Sequence, residues 1–426
     1  MKFIDLYAGL GGFHLALESI GHDCVFASEI NPSLRELYTK NFPKTPIFGD
    51  VLQIDIKKDI PKHQILCGGF PCQPFSRAGL QLGFSDEKKG NHFFRIMEIL
   101  NFHKPEFILL ENVETIFRHD NGNTFKIIEE NLSKEYDIDY QVFSPHDFNI
   151  PHHRRRLFIV GRKKSLGGLQ GFEWPEKKDV SKTSIFSLRN KFDLTEKLTL
   201  SNKQQKAFEI WSDFVKNFPN PDDLPGFPIW ASEWGATYEY EQRTPFSTPI
   251  EELSKMRGSY GNKLSLKSKE SILENDIPRY ASYPEDKFPK WKIVYIKRNR
   301  VLYNKYKKFF DDFKKKLVDL DFSYQKFEWC CGKDTNTLDN KLIQFRQSGV
   351  RVSKANWAPA LTTVKTQNIY FPWLNRTMSS NEKAQLQSMQ KLKYLPDPEN
   401  GAHKAFGNAV NVKVVQLIAK NLLNGK

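Results

Sequence analysis

The stretch Ile65-Leu66-Cys67-Gly68-Gly69-Phe70-Pro71-Cys72-Gln73-Pro74-Phe75-Ser76 decides how the rest of the chain reads. It opens within a short apolar run, His63 to Cys67, that predicts a buried strand. Gly68 and Gly69 are expected to break that strand, and Pro71 fixes the backbone just before Cys72. A thiol is thereby set on a stiff turn at a strand end, where open α/β sheets keep their sites. Taken alone, Cys72 reads as a small buried hydrophobe, as most free cysteines are. The flanking segments reverse that reading.

Upstream, Lys2 to Tyr7 predicts a strand that runs into Asp5-Leu6-Tyr7-Ala8-Gly9-Leu10-Gly11-Gly12-Phe13 and then a helix carrying Leu15, Ala16, Leu17 and Ile20. Strand, glycine turn and helix form a nucleotide-binding entry, because the glycines let backbone pass close to a ligand. A second strand, Asp23 to Ala27, ends in Ser28-Glu29-Ile30. Glu29 follows Gly9 by 20 residues, the distance at which a carboxylate meets ribose hydroxyls in such folds. A third strand ends at Gly49-Asp50-Val51. No phosphate-gripping lysine follows the first turn, so a ligand with a ribose and little phosphate, such as S-adenosylmethionine, fits better than ATP or NAD.

Downstream, Arg77 to Gly90 reads either as a plain surface loop or as a partly basic loop that closes over a substrate. A helix over Phe93 to Phe102 leads past Pro105 to the strand Glu106 to Leu110, which delivers Glu111-Asn112-Val113. In a parallel sheet the glycine turn, Glu29, Asp50, Cys72 and Glu111 all follow strands and converge on one crevice. A helix (Thr124 to Leu132) and a strand (Tyr140 to Ser144) continue the sheet, and Ile150 to Val160 is a turn into a further strand. Alternation puts Arg154 and Arg156 on one face and Arg155 on the other. Two arginines facing a crevice could clamp an anion or a base oxygen; the simpler reading is a solvated strand start.

With these motifs in this order, the chain resembles the bacterial cytosine-C5 DNA methyltransferases. The resemblance rests on Asp5 to Phe13, Gly69 to Ser76, Glu111-Asn112-Val113, the arginines Arg154 and Arg156, and Phe406-Gly407-Asn408-Ala409-Val410. It covers residues 1 to 163 and about 376 to 426. It implies a doubly wound, mostly parallel Rossmann-like α/β sheet with an inserted, smaller mixed target recognition domain. The implied activity is methyl transfer from S-adenosylmethionine to C5 of a flipped-out cytosine in a short duplex DNA sequence. Cys72 would be the nucleophile, Glu111 the group at cytosine N3, and Arg154 and Arg156 the positioners of the base. Tyr7, Ala8, Gly9, Leu10, Gly11, Gly12, Glu29, Ile30, Asp50, Val51, Pro71, Asn408, Ala409 and Val410 would hold the cofactor. Ser76, Arg77, Lys88, Lys89, Arg346, Arg351 and Lys354 would touch DNA. Three residues depart from the family pattern: Ile30 stands where a tryptophan is common, His92 where an apolar contact is common, and His152 where a glutamine is common.

The expected domains are a catalytic and cofactor-binding domain (1–163), a target recognition domain (164–375) and a C-terminal return (376–426) that completes the first. The middle region, about 210 residues, is rich in lysine and aromatics. Helices are expected over Leu200 to Val215, over Asn299 to Leu320, from a Ser379 cap paired with Glu382, and over Asn411 to Leu423. Lysine and arginine total 64 against 50 acidic residues, a formal charge of +14 that favours polyanionic partners. The five cysteines show neither metal spacing nor a disulfide framework, which suits a reducing cytoplasm. Neither a signal peptide nor a membrane span is expected. The expected partner is double-stranded DNA, with a restriction endonuclease acting on the same site without contact, and the protein a monomer. A tRNA-directed enzyme, or a silent binding protein on the same scaffold, are the alternatives.

Overall fold

The computed structural model describes residues 1–71, 92–181, 183–186, 188, 198–265, 268–398 and 401–424. The chain forms two compact units: residues 1–196, 356–365 and 379–426 make the first, and 197–355 with 366–378 the second. These limits differ from the expected boundaries at 163/164 and 375/376. The glycines after Gly161 mark turns rather than the end of the unit. Beyond them the Trp174 indole packs 5.6 Å from the Phe143 ring and donates to Asp139 Oδ2 at 2.9 Å.

The N-terminal part of the first unit carries eight strands, β1 (Lys2–Leu6), β2 (Asp23–Ser28), β3 (Ile47–Phe48), β4 (Ile65–Gly69), β5 (Phe107–Val113), β6 (Tyr136–Phe143), β7 (His152–His153) and β8 (Arg156–Lys163). Seven of them form one sheet in the order β3-β2-β1-β4-β5-β8-β6. From β3 to β5 every pairing is parallel, while β8 runs antiparallel to both neighbours. The apolar runs of β1, β4 and β5 are buried almost without interruption, as sheets covered on both faces require. Strand order reverses between β1 and β4, which opens a crevice at their carboxyl ends. β7 pairs separately, in parallel, with Ala358–Pro359.

Gly68 and Gly69 do not break β4; they pair with Leu6 and Leu110 and with Glu111 inside the sheet. The strand tolerates them because space is short: a Cβ on Gly68 would lie 3.2 Å from Leu6 O.

Helices α1 (Gly12–Glu18), α2 (Pro32–Asn41), α3 (His92–His103) and α4 (Asn123–Leu132) connect the strands. Asn31 caps α2 by accepting from Ser33 and Leu34 N–H, with Pro32 in the first turn. Phe93, Ile96, Met97 and Leu100 of α3 and Ile128 and Leu132 of α4 pack on Leu66, Ile108, Leu110 and Ile159. The C-terminal helix Val412–Asn424 buries Val415, Ile418, Ala419 and Leu422 at helical spacing and meets the end of α1, where Gln416 donates to Ser19 at 2.7 Å.

In the second unit a six-stranded mixed sheet packs against Asn202–Lys216, with Trp211 stacked on Phe327 at 4.6 Å. The single helix expected over 299–320 is two, Lys290–Lys305 and Lys307–Leu317, bent at Tyr306 (φ −125°, ψ 35°). Tyr306 leaves the helical line with its hydroxyl bonded to Asp223, so the apolar spacing continues across the bend while the backbone ladder does not.

Candidate active site

The chain leaves β1 through a left-handed Tyr7 (φ 60°) and Gly9 (φ 53°). Such φ values cost a non-glycine residue energy, so the turn is held from outside. Ala8 N–H donates to Ser28 O at 2.8 Å, and Gly9 N–H to Glu29 Oε2 at 3.0 Å. Glu29 Oε1 accepts from Asn31 N–H at 2.8 Å, so one carboxylate orients both the turn and the start of α2. Gly12 acts through the space it leaves. A Cβ there would lie 2.5 Å from Val410 Cγ1, and its absence lets the Asn408–Val410 segment close against the turn. Gln387 fastens that segment by donating to Phe406 O (2.9 Å) and Ala409 O (3.1 Å). Asp50 caps the short turn Val51–Gln53, whose carbonyl at Val51 accepts from Arg95 at 3.0 Å.

Every residue assigned to the cofactor except Leu10, Gly11 and Gly12 lines one cavity of about 990 Å³. Ile30 is 65% exposed at its rim. The His92 ring packs edge-on against Tyr7 at 5.3 Å and lines the same cavity. Burial and the nearby Asp50 push the Tyr7 phenol well up, so it remains neutral.

Glu111, Arg154 and Arg156 line the same cavity. Glu111 sits in β5 between Gly69 and Phe158 and is 8% exposed. A Cβ at Gly69 would stand 3.2 Å from Glu111 Oε2, so the glycine makes room for the carboxyl. Because β8 is reversed, its first residue, Arg156, arrives at the carboxyl edge of β5. Arg156 Nε lies 2.9 Å from Glu111 Oε1, yet the oxygen receives no hydrogen bond of good geometry, so the contact is an unaligned ion pair. Burial pushes the Glu111 carboxyl above its ordinary range against the opposing pull of Arg156 and Arg154.

Arg154 is 3% exposed and donates from Nη2 to Gly407 O at 2.7 Å and from Nη1 to Leu361 O at 3.4 Å. Burial and Arg156 bring its guanidinium down to about 9, which leaves it charged at neutral pH. Arg155 points elsewhere and forms a two-pronged pair with Glu114 at 2.7 and 2.9 Å. Asn112 donates to Phe70 O at 3.0 Å and so ties β5 to the peptide leading into Pro71. Cys72, Ser76, Arg77, Lys88 and Lys89 lie outside the described residues. The supporting roles of Arg95 and Gln387 are not visible in the sequence, and Asn112 stands there only as the middle residue of Glu111-Asn112-Val113.

The three basic residues expected at DNA from the second unit are each offset by an acid. Arg346 pairs with Glu328, Arg351 Nε is 4.0 Å from the same carboxylate, and Lys354 is 3.7 Å from Asp334. Among the described residues no cluster could hold a metal ion, and no helix is long and apolar enough to cross a membrane.

The family model described as C-5 cytosine-specific DNA methylase matches residues 1–424. Type II methyltransferase M.NgoBI of Neisseria gonorrhoeae is 35% identical over 288 residues, 67% of this chain and 83% of that protein. M.HhaI of Haemophilus parahaemolyticus is 41% identical over 177 residues, and M.HaeII of Haemophilus aegyptius 46% over 176. Each of these two matches takes in 41% of this chain, so the chain spans about half the length (53%) of either relative. A crystal structure assigned as a prophage DNA modification methyltransferase (E. coli) shares the fold with a TM-score of 0.51, 19% identity, and 100% and 99% of the two chains covered.

Proposed function

The chain belongs to the C-5 cytosine-specific DNA methylase family, and from that premise we propose that it methylates C5 of cytosine within a short duplex DNA sequence, protecting host DNA in a restriction–modification system. The observation that carries this reading is the under-satisfied, buried Glu111 carboxyl, which shares one cavity with the glycine turn and Glu29. The cavity suits S-adenosylmethionine: Glu29 would hold the ribose, Asp50 and the exposed Ile30 would meet the adenine, and the close approach of Val410 to Gly12 closes the wall. When bound, that cofactor supplies an electrophilic methyl group. Everything else falls to the chain.

The target base lies stacked in a duplex and has to be rotated out to enter. Cys72 adds as a thiolate to C6, which makes C5 nucleophilic. A free thiol is only a few per cent thiolate at pH 7, so a positive charge beside it would favour the reactive form. Addition builds electron density at N3. In its protonated form, which burial favours, Glu111 would donate there, and Arg156 lies beside the carboxyl. Loss of the C5 proton and departure of the thiolate end the cycle. The second unit, with residues Arg346, Arg351 and Lys354, reads the DNA sequence, and the protein acts as a monomer.

The test is methylation of a random DNA library read by bisulfite sequencing, with wild type beside Cys72→Ser. Modification of one motif by wild type alone is the expected result. Unmodified DNA from a wild type that still binds S-adenosylmethionine overturns the reading in favour of an RNA substrate or a silent binding protein.

A further inference from the structure

We propose that His152 is a positioning residue for the arginine–glutamate pair: its neutral ring pins the backbone of Leu361, and Leu361 in turn fixes Arg154. The inference rests on the reading of Glu111 and Arg154 as working groups.

His152 is completely buried, and its two ring nitrogens face opposite kinds of partner. Nδ1 lies 3.3 Å from Leu386 O, and Nε2 lies 3.4 Å from the N–H of Leu361. A carbonyl only accepts and an amide N–H only donates, so these partners select the Nδ1–H tautomer. An imidazolium would turn a proton against the Leu361 N–H, in a site already facing Arg154, Arg156 and His153. Burial and Arg154 hold the ring well below the ordinary histidine range.

Leu361 is a node with two ends. Its N–H goes to His152 and its carbonyl accepts from Arg154 Nη1. The segment carrying it is laid against β7 by the Ala358–His152 pairing and by the Ala358 N–H bond to Pro151 O at 2.7 Å. Its far side is closed by Gly407, where a Cβ would lie 2.8 Å from the Thr362 backbone. Gly407 supplies the second acceptor for Arg154. The guanidinium is therefore held by two carbonyls from distant parts of the chain, and His152 sets the position of one of them.

The consequence is specific to the chemical step. Leu386 O keeps a second donor, Asn411 Nδ2 at 2.9 Å, and Gln387 holds Ala409 independently of His152. Removing the ring therefore loosens Arg154 while the Asn408–Val410 wall of the cofactor end stays anchored. Glutamine also offers one donor and one acceptor and can span the same two partners; leucine fills the space with neither.

The experiment compares His152→Leu and His152→Gln with wild type, using duplex DNA containing the methylated motif and S-adenosylmethionine. His152→Leu is expected to slow single-turnover methyl transfer on the order of 10- to 100-fold, the scale of a small misplacement of a working group. Cofactor Kd should stay within about twofold, and His152→Gln within about threefold of the wild-type rate. A glutamine variant as slow as leucine, a leucine variant as fast as wild type, or a parallel loss of cofactor affinity overturns the proposal. Should the leucine variant not fold, ¹⁵N-histidine NMR of the wild type decides. A His152 ring protonated on Nδ1 alone from about pH 6 to 8 supports the assignment, and an ordinary titration or the other tautomer refutes it. Cys72→Ser run alongside separates the two levels: retained methylation there would sink the catalytic reading whatever His152 does.

Discussion

Glu111 and Glu233 are both buried carboxylates, one in each compact unit, and their surroundings differ in kind. Glu233 is fully buried and receives Arg300 Nε at 3.0 Å, the Tyr280 hydroxyl at 2.7 Å and the Tyr238 hydroxyl. Arg300 is itself sandwiched over the rings of Tyr238 (4.4 Å) and Tyr240 (4.6 Å). Glu111 keeps an oxygen without a hydrogen bond beside a single unaligned arginine and opens on a cavity. A carboxylate that only supports structure has its partners filled, because an unmet buried charge costs several kcal/mol. One left with spare hydrogen-bonding capacity at a cavity wall is poised for a ligand. The contrast separates a scaffold carboxylate from a working one more clearly than burial does.

The largest expected effect bears on Glu111, the carboxylate proposed to act on the base. Glu111→Gln should lower single-turnover methyl transfer by roughly 10²- to 10⁴-fold with little change in urea unfolding, since the amide removes a desolvated acid. Glu233→Ala should do the reverse. It strands Arg300 and should cost about 3–5 kcal/mol in unfolding followed by tryptophan fluorescence, with Trp211 and Trp234 buried in the same unit. If both variants lose stability alike, the distinction between the two carboxylates fails.

Asp5 sharpens the comparison, because it is fully buried in the first unit with neither oxygen hydrogen-bonded. The His14 N–H faces it without normal geometry, and burial pushes its carboxyl up to about 8. The fold therefore keeps a proton that the unfolded chain releases near the ordinary value of 3.8. Stability should fall as pH rises from about 4 to about 8 and stay low above that window. Asp5→Asn should flatten this slope and gain roughly 2–5 kcal/mol at pH 8.5 relative to wild type, read by denaturant titration across pH. Gly12→Ala is a smaller perturbation: its methyl would meet Val410, and the Kd for S-adenosylmethionine should rise about tenfold in calorimetry. Smallest of all, Arg155→Ala should change stability by less than about 1 kcal/mol, because its pair with Glu114 is largely solvent-exposed. A loss as large as that of Arg156→Ala would contradict the division of the three arginines into cavity-facing and outward-facing.

Much of this was legible in the residues. The apolar runs at 2–6, 65–67 and 107–110, the glycine turn and the Ser379–Glu382 capping box are local signals, and local sterics and hydrogen bonds produce them. The break at Tyr306 was not legible, since the spacing of apolar side chains survives a bend that a tyrosine–aspartate bond stabilises from outside. Gly68 and Gly69 misled for a related reason: their propensity favours a turn, and close approach between neighbouring strands overrode it.

By itself, then, the sequence determined the family motifs and in what order the elements follow, because motif spacing and periodicity are properties of neighbouring residues. Only the tertiary structure decided that β8 runs backwards beside β5, that Arg156 therefore meets Glu111, and that Arg154 hangs from Leu361 and Gly407, 207 and 253 residues away. Those pairings depend on which distant segments pack together, and no short window of sequence contains both partners.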